Sequence, residues 1–155
     1  MAGDALARLF GINAQVIEAN TEGMTDEESL LQPVPGGNCA NWVLGHIVAT
    51  RNSVMKLIGE DPVWNEEQAS VYRRGADPLT DAARATSFKQ MLNDMRASQQ
   101  KLTKRLGEMS GDELAAAAED DTVAGQLAIL HFHEAYHIGQ LGLIRRLAGK
   151  PGAIK

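Results

Sequence analysis

Leu127-Ala-Ile-Leu-His-Phe-His-Glu-Ala-Tyr-His-Ile-Gly-Gln-Leu-Gly-Leu-Ile-Arg-Arg146 forms a long apolar pattern near the C-terminus of the chain. Its aliphatic residues recur at intervals of three and four positions, as at Leu127, Leu130, Leu141 and Ile144. This spacing is that of an amphipathic helix, whose turn contains 3.6 residues. The stretch therefore predicts a long helix with one face in a core.

Two histidines, His133 and His137, lie on the apolar face of this predicted helix. Residues four positions apart are about 40° apart around a helix and about 6 Å apart along it, so both imidazoles can reach one point. Each buried ring carries a hydrogen-bond donor and an acceptor that need partners. A shared metal ion would satisfy both rings, and the remaining question is which residue elsewhere completes the site.

The composition indicates one globular domain covering residues 1–155, with 44% hydrophobic and 23% charged residues. No apolar run reaches the roughly 20 residues needed to cross a bilayer, and the N-terminus lacks the pattern of a signal peptide. The single Cys39 cannot form an internal disulfide or a cysteine-rich zinc cluster. We therefore expect a cytoplasmic protein that does not associate with membranes.

The net charge of -5 gives no continuous basic surface with which to neutralise phosphates. Nucleic acid is therefore not an expected partner.

Breaks in the hydrophobic pattern divide the chain into four long predicted helices. They cover residues 4–20, a segment that starts within 38–41 and ends near 58, residues 81–109, and a last helix that starts at 120–122 and ends before Gly149. Thr25-Asp-Glu-Glu28 and Ser110-Gly-Asp-Glu113 have the form of capping boxes that open two short helices. No convincing strand is present, and residues 61–78 form a long irregular crossover between the second and third long helices. The predicted fold is an all-α four-helix bundle.

His46 lies in the middle of the second long helix, beside small residues that leave room for a ligand. Metal sites in helical bundles are built from side chains on facing helices, so His46 with His133 and His137 is the natural ligand set. The alternative for His46 is a core histidine bonded to a backbone carbonyl. His131 points to the far side of its helix, and Asn13 more simply bonds a backbone group or water.

His133-Glu-Ala-Tyr-His137 also matches the short H-E-x-x-H pattern of zinc peptidases, in which the glutamate acts as a base. The better-known peptidase classes take their third ligand downstream of this pattern. No His, Asp, Glu or Cys follows His137 in this chain. A third ligand must come from upstream, which argues against those classes and favours His46.

Asn41-Trp-Val-Leu-Gly-His46-Ile, together with residues 133–146 and the closing Gly149, resembles the DinB/YfiT-like superfamily of putative metalloenzymes. The resemblance extends over nearly the whole chain in helix order and break positions. It implies a four-helix bundle, often a homodimer, with a divalent metal held at the positions of His46, His133 and His137. The family includes transferases and isomerases that use low-molecular-weight thiols, and its name does not imply DNA binding.

Neutral imidazoles suit zinc, nickel, copper or iron; we favour zinc or nickel, with iron or manganese as further alternatives. Three protein ligands are typical of catalytic zinc sites. Cys39 is about 10 Å from His46 along the helix and is better explained as a small buried residue. Gln140 could hold water or substrate, or form an interhelical hydrogen bond. Glu134 could orient a ligand, act as a base or form a salt bridge.

These observations lead to three hypotheses of function. In the first, the metal activates water or a thiol as a nucleophile toward a small molecule, for transfer or hydrolysis. In the second, the bundle binds a metal or ligand without catalysis, as in a stress-response protein, and its coordination sphere would be closed and dry. In the third there is no metal, and the rings would lie more than about 5 Å from any common centre.

Overall fold

The computed structural model describes residues 2–154 and is mostly helical. In chain order the elements are α1 (Ala2–Thr21), α2 (Asp26–Ser29), α3 (Ala40–Leu57), α4 (Glu66–Ser70), a 3-10 turn (Ala82–Arg84), α5 (Phe88–Glu108), α6 (Gly111–Ala115), β1 (Ala117–Ala118), β2 (Asp121–Thr122) and α7 (Val123–Leu147). The four long helices are α1, α3, α5 and α7. The all-α class is confirmed.

The four long helices form a bundle in which α1 and α3 each pack against both α5 and α7. Asn13 and Asn20 of α1 donate to the backbone carbonyls of His131 and Ile138, so α1 and α7 run parallel. α3 and α5 are also parallel, because Asn41 near the start of α3 bonds Thr86 just before α5, and Arg51 further along α3 bonds Gln99 within α5. A tight turn cannot join two parallel helices, so residues 58–87 must run back along the bundle from the end of α3 to the start of α5. This connection is the predicted long crossover.

The crossover contains a helix that the sequence analysis missed. Asn65 accepts a hydrogen bond from the backbone N–H of Gln68, and the Gln68 side chain accepts in return from the N–H of Asn65. This capping box opens α4 and was readable as Asn-x-x-Gln in the sequence.

The third long helix begins at Phe88 and not at 81 as predicted. Asp81 accepts a hydrogen bond from the N–H of Ala83, which closes a 3-10 turn instead of an α-helix. Ser87 then caps α5, and Asp26 accepts from the N–H of Phe88. Side-chain hydrogen bonds of Asp81 and Ser87 to the nearby backbone therefore make α5 begin seven residues later than predicted.

The predicted side-chain cap within residues 38–41 is also absent. The N-cap of α3 is Cys39, whose side chain makes no capping bond. Asn41 lies inside the helix, buried, where it donates to the Thr86 carbonyl and accepts from the Tyr72 hydroxyl. Asn41 thus fastens the crossover to α3.

The two predicted capping boxes, at Thr25 with Glu28 and at Ser110 with Glu113, are present, and Thr122 caps α7. Between α6 and α7 lies a small antiparallel ladder that was not predicted, in which Ala117 pairs with Thr122 and Ala118 pairs with Asp121. Strands of two residues are too short to show an alternating pattern.

The core consists of two apolar clusters with a polar layer between them. One cluster includes apolar residues from positions 39–48, in and next to α3, and from 138–144 of α7. The other includes apolar residues from positions 54–58, at the end of α3, and from 123–127 of α7. Arg51 and Glu134 lie between these segments, and both are buried. Within residues 2–154, no helix combines the length and apolar character needed to cross a membrane.

Candidate metal centre

His46 projects from the middle of α3 and is held on two sides. One ring nitrogen, Nδ1, lies 2.6 Å from the backbone carbonyl oxygen of Tyr72 in the crossover, so it carries the proton and donates. The Trp42 ring, one turn earlier, stacks on the imidazole with centroids 4.9 Å apart and planes 8° apart. This arrangement leaves Nε2 of His46 with a lone pair that faces α7.

His137 on α7 is oriented by its own helix. Its Nδ1 lies 2.7 Å from Oε1 of Gln140, and donation to this amide oxygen again leaves Nε2 with the lone pair. His137 is 9% exposed, so water competes little with this bond. Gln140 therefore fixes the tautomer and ring orientation that metal ligation requires.

The three Nε2 atoms converge on one point. Nε2 of His133 lies 3.2 Å from Nε2 of His46 and 3.2 Å from Nε2 of His137. Within the part of the chain that the structure describes, these histidines form a group that could hold a metal ion. The structure thus brings together the three histidines that the sequence analysis selected.

The spacing of these nitrogens fits a bound cation. Zinc–nitrogen bonds are about 2.0–2.1 Å, so nitrogens around a tetrahedral ion lie about 3.3 Å apart. A proton on Nε2 of His133 could serve one of the two short contacts but not both, because an imidazole N–H donates along one direction. In the other contact, two nitrogen lone pairs would face and repel each other. A cation between the nitrogens would remove that repulsion.

The protonation states agree with ligation. Burial lowers the pKa of His46, and it lowers the pKa of His137 from 6.5 to about 4. Burial also lowers the pKa of His133, and the neighbouring His46 adds to that effect. All three rings are therefore neutral near pH 7, the state in which imidazole binds a metal.

A cleft of about 450 Å³ opens beside the histidines, and His46 and His133 form part of its wall. Ala49, Ile129 and Leu130 give it apolar surface, and the crossover covers its other side. A larger hollow of about 680 Å³ lies between the end of α1 and the start of α5, but no histidine or cysteine lines it. Of these two hollows, the one of about 450 Å³ is the one lined by histidines.

Glu134 does not face the converging nitrogens. Its two carboxylate oxygens accept hydrogen bonds from Nε and Nη2 of Arg51 on α3. Of the roles considered for Glu134, this geometry matches the interhelical ion pair. It gives no support to the peptidase pattern, in which the glutamate needs a free carboxylate beside the metal.

The remaining candidates lie away from the centre. His131 packs edge-on against Phe10 at 5.4 Å, and Asn13 donates to the His131 carbonyl, a backbone bond as the simpler interpretation expected. Cys39 is fully buried, burial raises the pKa of its thiol, and its sulfur lies 3.8 Å from the Leu79 carbonyl.

Sequence reasoning missed Tyr72 and Arg51 as supporting residues. The Tyr72 contact uses a backbone carbonyl, a group that every residue has, so the residue type at position 72 could not have predicted it. Arg51 did leave a signal, since an arginine among the apolar residues 42–55 of a buried helix requires a buried partner.

Residues 10–141 match the model of a protein family described as the DinB superfamily. The chain is also similar to a crystal structure of a conserved protein from Enterococcus faecalis, with a TM-score of 0.70 and 18% identity over 94% of this chain and 96% of that chain. At this identity the similarity shows the fold alone. No curated protein is significantly similar to the chain in sequence.

Proposed function

The chain belongs to the DinB superfamily, and on this premise we propose that it is a metal-dependent enzyme acting on a small molecule. His46, His133 and His137 would hold a divalent ion, with zinc or nickel favoured over iron or manganese. The observation that carries the proposal is the convergence of three neutral imidazoles, with Nε2 of His133 lying 3.2 Å from Nε2 of both His46 and His137. When bound, such an ion supplies Lewis-acid chemistry by lowering the pKa of water or a thiol, which yields a nucleophile at neutral pH.

The other residues of the site bind and orient. The Tyr72 carbonyl and the Gln140 amide oxygen hold the protons on Nδ1 of His46 and His137, so that Nε2 of each ring stays free. Glu134 anchors α7 to α3 through Arg51, beside His133. We therefore propose that Gln140 and Glu134 act by positioning the histidines, and that Glu134 is not the base.

The cleft favours the enzyme over a non-catalytic stress-response bundle. A binder that only stores a metal or holds the fold together has no need of an access route, whereas this cleft of about 450 Å³ reaches His46 and His133. Its size suits a small molecule. The nucleophile would be water for hydrolysis or a low-molecular-weight thiol for transfer, the latter supported by the family resemblance.

We propose further that two copies of the chain associate as a homodimer. Large apolar side chains lie along one outer stripe of α7, and each is more than half exposed: Phe132, Tyr136, Leu143 and Leu147. Exposed apolar stripes of this kind mark association surfaces. The variant Phe132→Glu/Tyr136→Glu should be monomeric in light scattering, while Leu31→Glu, at an exposed apolar residue outside α7, should leave the dimer intact. A monomeric wild type would contradict the proposal.

The cytoplasm is the proposed location. Cys39 is buried and free, and it is the only cysteine in the chain, which supports a reducing compartment.

Metal content per chain is the direct test of the enzyme proposal. Protein purified without an affinity tag would be analysed by inductively coupled plasma mass spectrometry beside His137→Ala and His131→Ala. We expect near-stoichiometric metal in the wild type and in His131→Ala, and a large loss in His137→Ala. Absence of metal from the wild type, even after dialysis against zinc and nickel, would refute the proposal.

A further inference from the structure

Three charged side chains line the cleft beside the histidines, and their charges do not sum to zero. Glu66 and Arg73 form an ion pair with each other. Arg74, also at the cleft, is exposed and has no ion-pair partner within residues 2–154. The cleft therefore presents one uncompensated positive charge, although the chain as a whole carries a net charge of -5.

Arg74 is placed by the same segment that orients His46. It follows Tyr72 by two residues, and the Tyr72 carbonyl accepts a hydrogen bond from Nδ1–H of His46. Arg74, His46 and His133 line the same cleft of about 450 Å³, so the guanidinium and the two imidazoles border one ligand-sized space. A ligand in the cleft can therefore meet the histidines and Arg74 together.

The walls of the cleft suit a ligand that is not uniformly polar. Ala49, Ile129 and Leu130 offer apolar surface, and Thr50 and Ser53 offer hydroxyl groups. A single free guanidinium matches a monoanion, and its planar fork of N–H groups fits a carboxylate in bidentate geometry.

We propose that Arg74 is a specificity-determining residue that selects small molecules carrying a carboxylate. The proposal deepens the proposed function and rests on it, because the ligand would bind where the metal-holding histidines open into the cleft. Arg74 recognises the charged end of the ligand, and the apolar wall receives its carbon skeleton.

The experiment uses cobalt(II) as the metal and two matched thiols as probes. N-acetylcysteine carries a carboxylate, and its amide is nearly the same size but neutral. Each thiol would be titrated into cobalt-loaded protein while near-ultraviolet charge-transfer absorption is followed. The variants are Arg74→Gln and, as a control, Arg84→Gln, which alters an exposed arginine of the same crossover that does not line the cleft.

We expect the ratio of the two affinities to shift toward the amide by roughly threefold to tenfold in Arg74→Gln, and not to change in Arg84→Gln. Comparing ratios between variants removes any intrinsic difference between the two thiols. The preference should also weaken as salt is added, because the guanidinium is exposed.

Each other outcome overturns the proposal in a distinguishable way. If cobalt binds but the affinity ratio is the same in the wild type and in Arg74→Gln, Arg74 does not select the ligand. If cobalt binds and neither thiol changes the spectrum, the cleft does not admit such ligands. If cobalt does not bind at all, the proposed function fails and this proposal fails with it.

Discussion

Arg51 and Glu134 form a doubly hydrogen-bonded ion pair inside the bundle, with Nε to Oε2 at 2.6 Å and Nη2 to Oε1 at 2.9 Å. The exposed fractions of the two side chains are 0% and 5%. The Arg51 guanidinium also lies over the Phe10 ring, 5.0 Å from its centroid. Because Glu134 directly follows His133, this pair ties the ligand-bearing part of α7 to α3.

Glu134→Gln should destabilise the protein by about 3–5 kcal/mol, because it leaves the Arg51 charge buried without a counter-charge. The double variant Arg51→Met/Glu134→Leu removes both charges at similar volume and should recover most of that loss. Urea unfolding of the metal-free proteins measures both effects. A single variant that costs less than about 1 kcal/mol, the range of a surface pair, would show that the ion pair is not buried in solution.

Gln140→Ala should weaken zinc binding by about 10- to 100-fold, as expected for the loss of a residue that orients a metal-ligating histidine. The stability of the metal-free protein should change little, since Gln140 is only half-buried and its hydrogen bond is to the His137 ring. Competition with a chromogenic chelator measures the affinity. Gln140→Glu keeps an acceptor for His137 and should restore tight binding, and Gln126→Ala on the same helix is the control. Equal affinities in Gln140→Ala and the wild type would exclude the orienting role.

Gly45→Ala should cost about 1–3 kcal/mol through overpacking. A Cβ on Gly45 would lie 2.3 Å from the nearest atom of the Tyr72 ring, and that ring is fully buried and cannot yield. Displacing Tyr72 should also weaken zinc binding, because its carbonyl holds His46. In contrast, Gly11→Ala in α1 meets no atom within 4 Å and should stabilise the protein by about 0.5–1 kcal/mol. Thermal unfolding and zinc titration test both variants, and a neutral Gly45→Ala would argue against this packing.

Metal-free protein should lose stability as the pH falls from 6.5 toward 4. The pKa of His137 is about 4 in the folded chain, against an ordinary value of 6.5. In this window the unfolded chain binds the proton and the folded chain does not, so acid favours unfolding. Above pH 6.5 the His137 ring is neutral in both the folded and the unfolded chain, so its protonation no longer lowers the stability.

The slope from one such histidine reaches at most about 1.4 kcal/mol per pH unit. Urea unfolding between about pH 7 and 5 measures the combined effect of His137, His46 and His133, because the lowered pKa values of Glu28 and Glu113 act mainly near and below their ordinary value of 4.5. The difference between the wild type and His137→Gln isolates the part due to His137: this variant should reduce the pH dependence, and His131→Gln should not. An unchanged slope in His137→Gln would mean that His137 is protonated alike in both states.

Much of the fold was predictable because it depends on local signals. Apolar periodicity located the four long helices, and the capping boxes at Thr25 and Ser110 marked the short ones. The prediction was wrong at residue 81, where Asp81 starts a 3-10 turn, and it missed α4 despite the Asn65 capping box. Both errors concern the crossover, where weak local preferences compete.

The sequence by itself determined that His133 and His137 point the same way, because residues four apart on one helix have a fixed relation set by backbone geometry. It also favoured His46, earlier in the chain, as the third member of the group. Only the tertiary structure decided how the site is completed. The contacts of His46 with Tyr72 and of Arg51 with Glu134 join residues 26 and 83 positions apart. Such contacts depend on the rotation and register of packed helices, which many distant side chains fix together and no short segment encodes.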